Sequence, residues 1–513
     1  MTGILAGALT LGVATLLAGL ISRMGAVGGI PSPVLAVGSA FVDRTPPWLK
    51  NFAIATFGTH DKQALFVGIA AVLAIGCALL GVFARRRLMA ALLLFAALAA
   101  LGLGAVLTRP HASVIDALPT VAGALAGMWA LAKQWQWRSL GGTTGRADRG
   151  DGERDGAALI DRRQVVVGSA GIAAAAVGGA AIGQGIGGKA ASVASSRAAV
   201  RVPTAVAPVS VPTGASLHVS GISPFVVPAA DFYRIDTALV VPQIDSSSWK
   251  LRVHGMVAKE VSLDWNTLLS KPMRQAMVTL TCVSNEVGGD LIGNAIWTGW
   301  PIRDLLAMAG PRAGADMVLS TSADGWSAGT PLSALTDQRD ALLVVAMNGQ
   351  PLPVEHGFPV RMVVPGLYGY VSATKWVTDL EVTRFADAQG YWTPRGWSAL
   401  GPIKTESRID VPRSGARVRA GRVAVAGVAW AQHRGIRGVE VRVDDQPWKR
   451  ATLALEPTID SWRQWVLPWQ ATRGSHTITV RATDRAGAVQ TSHEAPPEPD
   501  GATGWHTITV SVD

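Results

Sequence analysis

The apolar positions of this chain fall into two regimes. Up to about residue 190 they run almost unbroken: the stretches 2–21, 63–84, 88–107, 115–132 and 164–186 each hold roughly 18–23 residues with almost no charge, enough for a helix to cross a hydrocarbon core of about 30 Å. After that the period shortens. "WKLRVHGMV" alternates as a strand, "SLDWNTLLS" is a short helix stopped at Lys271-Pro272, and "QAMVTLTC" is another strand. "WPIRDLLAMAG" reads as a helix with Pro301 in its first turn and Gly310 at its C-terminal cap. Asn348-Gly349, set between two apolar runs, marks a hairpin. "FPVRMVVPG" and "KWVTDLEVTRF" supply further strands, so residues 229–405 form a mixed α+β domain.

From about 406 the helical pattern disappears. "RVAVAGVAW", "VEVRVDDQPW", "RQWVLPWQA", "HTITVRATD" and "HTITVSVD" are short alternating strands between polar turns, an Ig-like β-sandwich of about 100 residues. Its Trp430, Trp448, Trp462, Trp465 and Trp469 are expected in packing rather than on a binding surface. Residues 187–228, rich in Ala, Val, Pro and Ser, read as an extended linker. The expected organisation is therefore a transmembrane region of about five helices (1–186), the linker, the α+β domain (229–405) and the β-sandwich (406–513). At 513 residues three or so units is the natural expectation.

Basic residues orient the spans. Arg85, Arg86 and Arg87 mark the turn between the second and third spans as cytoplasmic, and so do Arg138, Arg146, Arg149, Arg154, Arg162 and Arg163 in the stretch before the last. Both agree if the N-terminus is inside and an odd number of spans precedes residue 190, which places everything after it outside the cytoplasm. The net charge of +10 then belongs to topology, and no nucleic-acid recognition segment accompanies it. "DRRQVVVGSAGIAAAAVGG" resembles a twin-arginine export signal, the route for folded proteins; ordinary basic flanking of a span is the other reading. Spans without intramembrane charge argue against a transport pathway.

Only two cysteines occur, Cys77 in an apolar run and Cys282 in "VTLTCVSNEVGG", so the exported part has no internal disulfide. Cys282 admits three readings: a buried structural thiol, a nucleophile with His356 as the nearby base, or a soft ligand to a metal whose other ligands come from an organic cofactor. The residues alone leave these open.

"VTLTCVSNEVGG…NAIWTGWPIRDLLAMAG", "AMNGQPLPVEHGFPVRMVVPG", "ATKWVTDLEV" and the preceding "DFYRIDTALVVPQID", in this order and followed by an all-β tail, resemble the sulfite oxidase family over roughly 229–513. The resemblance implies a molybdenum–molybdopterin cofactor with Cys282 as its protein metal ligand and Arg234 beside the metal as a second catalytic residue. It implies pterin contacts from Tyr233, Arg234, Asn285, Asp324, His356, Arg361 and Lys375, and a C-terminal domain of the dimerisation type, hence a homodimer. Where sulfite-oxidising members carry arginines after Cys-x-x-Asn, Glu286 and Val287 stand here, and Trp397 takes the place of a tyrosine. A carboxylate facing a dianion costs about 1–4 kcal/mol at a partly screened site, so sulfite is a doubtful substrate. Tyr368 and Tyr370 line the pocket or simply pack.

The expected function is a membrane-anchored molybdoenzyme moving an oxygen atom between water and a small sulfur- or nitrogen-containing substrate, with a separate electron-transfer partner or quinone. No haem is expected: there is no Cys-x-x-Cys-His, and His60 and His111 fall in loops. The alternatives are a sulfite dehydrogenase proper and a non-enzymatic anchored surface protein.

Overall fold

The computed structural model describes residues 2–23, 30–46, 49, 56, 61–109, 112–141, 162–186 and 189–513. His60, His111, Arg146, Arg149 and Arg154 lie outside them. The chain divides into two compact units, Met1–Ser192 together with Ala238–Val240, and Val193–Thr237 together with Val241–Asp513.

In the first unit the uninterrupted apolar runs become α1 (Thr2–Arg23), α3 (Asp61–Ala84), α4 (Leu88–Leu107), α5 (Leu118–Gly141) and α6 (Arg162–Ile186), with a shorter α2 (Pro33–Arg44) between the first two. Large aliphatics point outward, among them Val72, Ile75 and Leu79 on α3 and Leu93, Leu98 and Leu101 on α4. The interior is built from Ala6, Leu9, Leu80, Ala91, Phe95, Leu131 and Ile172. Small residues set the helix spacing: a side chain at Gly12 of α1 would meet the Ala176 carbonyl of α6, so the two backbones touch there. Among the described residues four helical stretches, Thr2–Ser22, Ala64–Ala84, Leu88–Leu107 and Val114–Trp137, are long and apolar enough to cross a membrane. The fifth expected span, 164–186, lies within the helix α6, whose apolar stretch Val167–Ile182 is described. The short helix α2 has no counterpart in the sequence expectation.

The second unit begins inside α7 (Lys189–Ala199). Of the expected extended linker 187–228, Lys189–Ala199 is helical instead, while residues 200–228 are extended but do not hang free. Arg197 donates to the Leu352 and Pro351 carbonyls at 2.8 and 2.9 Å, Val206 N–H to Met273 O at 2.8 Å, and Val227 N–H to Asn294 O at 2.9 Å. Two sheets follow. One has the order β2 (Val261–Asp264), β1 (Lys250–Gly255), β10 (Val377–Thr383), β5 (Met317–Ser322), β6 (Ser327–Pro331), with β1 and β10 parallel. The other runs β3 (Arg274–Thr281), β4 (Ile292–Pro301), β7 (Leu342–Met347), β8 (Gln350–Pro351), and β9 (Arg361–Val363) pairs with β7. Asp264 caps α8 (Trp265–Leu269) by accepting from Thr267 N–H, and Gly310 ends α9 (Ile302–Ala309) at φ 65°. Asn348 and Gly349, at φ 51° and 77°, form the turn that joins β7 to β8.

The remainder is β-rich. β11 (Glu406–Val411), β13 (Gly421–Trp430), β17 (Arg463–Ala471) and β16 (Thr452–Leu453) make one sheet; β12 (Arg417–Val418), β19 (Thr507–Val512), β18 (Gly474–Asp484), β14 (Ile436–Val443) and β15 (Lys449–Arg450) make the other. Both contribute to one core of Val425, Val439, Trp465, Ile478 and Val510. Trp462 and Trp430 instead join the core of the α+β sheets. The Trp462 amide donates to Thr279 Oγ1 at 2.7 Å, and Gln432 Nε2 to Thr279 O and Thr281 Oγ1 at 3.1 and 3.0 Å, so the C-terminal sheets grip β3. Trp448, half-buried, packs edge-to-face with Trp505 beneath Arg442 and Arg481.

Trp297 anchors this arrangement, fully buried with its indole N–H on Val278 O at 3.0 Å. Trp297→Ala removes about 3–5 kcal/mol of stability; a thermal melt of the full chain in detergent should shift strongly downward, and an unchanged melting temperature refutes the assignment.

Candidate active site

Cys282 follows the last residue of β3, where the chain leaves the sheet. Its amide donates to Leu291 O at 2.9 Å, its carbonyl accepts from Asn285 N–H at 3.1 Å, and Asn285 Oδ1 accepts from Leu291 N–H at 2.8 Å. These bonds close a tight loop whose interior side chain is Asn285, and Asn285 Nδ2 is buried with no partner among the described residues. Arg408 of β11 ties the same loop down by donating to Gly289 O. The Cys282 thiol is only half-buried. Desolvation raises its pKa, opposed by hydrogen bonds to Ser284, so without a counter-charge it is a thiol.

Arg361 stands at the start of β9, 5% exposed. Its guanidinium donates to carbonyls of His356 and Met362 at 3.2 and 3.3 Å and lies over the Trp297 ring at 5.1 Å. No carboxylate pairs with it among the described residues. Burial lowers its pKa to about 10, opposed by Tyr233. A buried cation without an anion costs several kcal/mol, and the donor set is that of an anion site.

Tyr233 lies within the electrostatic reach of both Cys282 and Arg361; its pKa is pushed far up by burial first, then by the thiol. Lys375 is 9% exposed and donates from Nζ to Asp236 Oδ2 and Glu355 O at 2.8 and 3.1 Å. Desolvation lowers its pKa to about 8 against the pull of Asp236. Arg234 reaches the same Asp236 at 2.9 Å, so one carboxylate holds two of the expected basic residues. His356 is buried with Nε2 3.1 Å from Ala229 O. A carbonyl cannot donate, so Nε2 carries the hydrogen. Burial, then Arg361 and Lys375, lowers the His356 pKa to about 4, which keeps the imidazole neutral. His356 therefore clamps the segment that carries Tyr233 and Arg234.

The structure thus gathers Tyr233, Arg234, His356, Arg361 and Lys375 through shared contacts, with Cys282 and its Asn285 loop alongside. Ala229, Phe232, Arg234, Gln243, Glu355 and His356 line an open cleft of about 370 Å³. Asp324 differs: its carboxylate accepts from Trp326 N–H at 3.2 Å within the β5–β6 turn, and the adjacent Ala323 N–H donates to Trp376 O at 2.9 Å. Trp297 and Asp236 were not foreseen; the acid two residues beyond Arg234 in "YRID" was the available signal for Asp236. Tyr368 also feels the Cys282 charge, after Glu406 and Asp500. Tyr370 packs near Trp397, at 5.9 Å between ring centres, and its hydroxyl is spent on Ser398 O at 2.7 Å. Glu286 is exposed.

Residues 238–392 match the family model described as "Oxidoreductase molybdopterin binding domain". Sulfite oxidase of Mus musculus is 30% identical over 53% of this chain and 59% of its own length. An oxidoreductase named YuiH, described as uncharacterised, from Bacillus subtilis is 31% identical over 31% of this chain and 76% of its own length. The chain thus spans less than two thirds of the mammalian relatives it matches. In fold it is similar to the sulfane dehydrogenase SoxCD from Paracoccus pantotrophus, at a TM-score of 0.50 and 20% identity over 60% of this chain and 87% of the other. The chain belongs to the sulfite oxidase family of molybdopterin oxidoreductases.

The depressed His356 pKa sets a pH dependence. Its stabilising contribution is complete above the ordinary histidine range near pH 6.5 and is lost as pH falls toward about 4, up to about 3 kcal/mol. In cofactor-free protein, His356→Gln should flatten the fall in melting temperature across that window; an unaltered acid limb contradicts the burial of a neutral imidazole.

Proposed function

We propose that this chain is a membrane-anchored molybdenum-cofactor oxidoreductase that transfers an oxygen atom between water and a small sulfur- or nitrogen-containing compound at the extracytoplasmic face. The observation that carries this is Arg361, a buried cation with no carboxylate partner among the described residues, whose charge reaches Tyr233 as that of the half-buried Cys282 does. The residues fit the group: an anionic pterin phosphate suits Arg361 and Lys375, and the orphaned Asn285 amide supplies one more donor to a polar ligand. Cys282 would hold the metal; Tyr233, Arg234, Asn285, Asp324, His356, Arg361 and Lys375 would hold the pterin. When bound, the cofactor supplies two-electron redox and oxygen transfer. The chain's own part is placement. Asp236 fixes Arg234 and Lys375, His356 fixes the Ala229 backbone, and Asn285 fixes the loop that presents Cys282.

Five spans favour the outward placement. Ile172 of α6 sits in the same core as α1, α3, α4 and α5, and the Gly12–Ala176 approach is of the small-residue type seen between membrane helices. We read the C-terminal sheets as an Ig-like sandwich of the dimerisation type, and a separate electron carrier or quinone as the redox partner. Similarity to sulfite oxidases supports a second reading, sulfite oxidation itself. The exposed Glu286, and Val287 beside it, place no cation where an anionic substrate would need one.

Purified protein should carry about one molybdenum per chain, lost in Cys282→Ser and strongly reduced in Arg361→Met; metal-free, stable wild-type protein would refute the reading. Among S-oxides, N-oxides and sulfite offered with a dye as electron partner, turnover of an oxide without turnover of sulfite supports the first substrate class, and the reverse supports the second.

A further inference from the structure

The C-terminal sheets bring a second buried acid close to the site. Glu406 of β11 is 4% exposed, and its Oε1 has no partner among the described residues. It pairs across the sheet with Trp430 of β13, whose indole N–H is equally buried and unpartnered. Two residues on, Gln432 is 1% exposed; its amide donates to Thr281, the neighbour of Cys282, while its Oε1 is unpartnered. Glu406 also lines a cavity of about 220 Å³ with Lys404, Gln490 and Thr503. Buried polar atoms without protein partners are the ordinary seats of ordered water.

We propose that Glu406 is a proton relay, exchanging protons between the Cys282 site and the Lys404–Thr503 cavity through water held by Trp430, Gln432 and Tyr368. The proposal rests on the oxygen-transfer reading above. Oxidation of a substrate X by water gives XO, two protons and two electrons. The electrons leave to the external carrier, and the protons need a path of their own; the reverse reaction consumes both. A relay needs a group that changes charge near neutral pH. Burial pushes the Glu406 pKa up to about 8, with Lys404 opposing it. Lys404 cannot neutralise it fully, because its ammonium is held by Asp500 at 2.8 Å and by Gly501 O at 2.6 Å. Among the described residues, the charged or titratable groups that bear on Glu406 or its chain neighbours are Tyr368, Asp500 on Lys404, and Asp484 on Thr405, the last paired with Arg434 at 3.1 Å. Tyr368 is 2% exposed; burial, then Glu406, raises its pKa, and Cys282 adds to the shift, so the tyrosine is within electrostatic reach of both acid and thiol.

The test compares wild type, Glu406→Gln and Glu406→Asp as full chains in detergent. Infrared difference spectra between about pH 6 and about pH 9 should contain a protonated-carboxyl band that shifts in D2O and is absent in Glu406→Gln. With molybdenum content equal to wild type, Glu406→Gln should lower kcat about 10²-fold with KM nearly unchanged. It should also lose the pH dependence centred near 8, and Glu406→Asp should restore part of both. A missing band, or an unchanged kcat and pH profile in a molybdenum-loaded Glu406→Gln, overturns the relay. Wild-type protein without molybdenum overturns the underlying reading and the relay with it, and metal analysis distinguishes that case from the others.

Discussion

A positive charge buried with no negative partner among the described residues organises the second unit. The Arg361 guanidinium sits over the Trp297 ring and against main-chain carbonyls, an environment that strips water from it, and no described carboxylate pairs with it. The strands around it must then be held by other means, and they are. Trp297 locks β4 to β3, His356 pins the Ala229 carbonyl, and Asp236 takes up the remaining two cations at the edge. Neutralising Arg361 with a local acid would remove the strain and also the attraction for an anionic ligand. The fold retains the cost, as binding sites commonly do.

The two sets of sheets in this unit are energetically one object. Trp430 and Trp462, which come from the C-terminal strands, complete the core of the α+β sheets, while Arg408 and Gln432 reach the two ends of the Cys282 segment. The tail therefore shapes the site instead of merely following it. Residues 200–228 contribute in the same way: they gain order by bonding backbone groups to Met273, Asn294, Gln275, Gln464 and Asp410 and by burying Phe225.

In the first unit the physics is inverted. Bulky aliphatics face outward, and glycine and alanine occupy the contacts, as expected where the surroundings are as apolar as the side chains. Gly12 and Ala176 let the backbones of α1 and α6 approach.

By itself the sequence determined what depends on local pattern and residue identity. Apolar run length set the helices, period-two alternation set the strands, and Asn348-Gly349 and Gly310 set their turn and cap, because these follow from backbone conformation over a few residues. The order of motifs around Cys282, His356 and Lys375 was enough to place the family. Only the tertiary structure decided which charges meet. That Lys375 reaches Asp236, that Arg361 lies over Trp297 with no carboxylate partner among the described residues, and that Glu406 is buried are pairings across more than fifty residues or outcomes of burial. Desolvation and charge pairing act through space, and no periodicity along the chain encodes them.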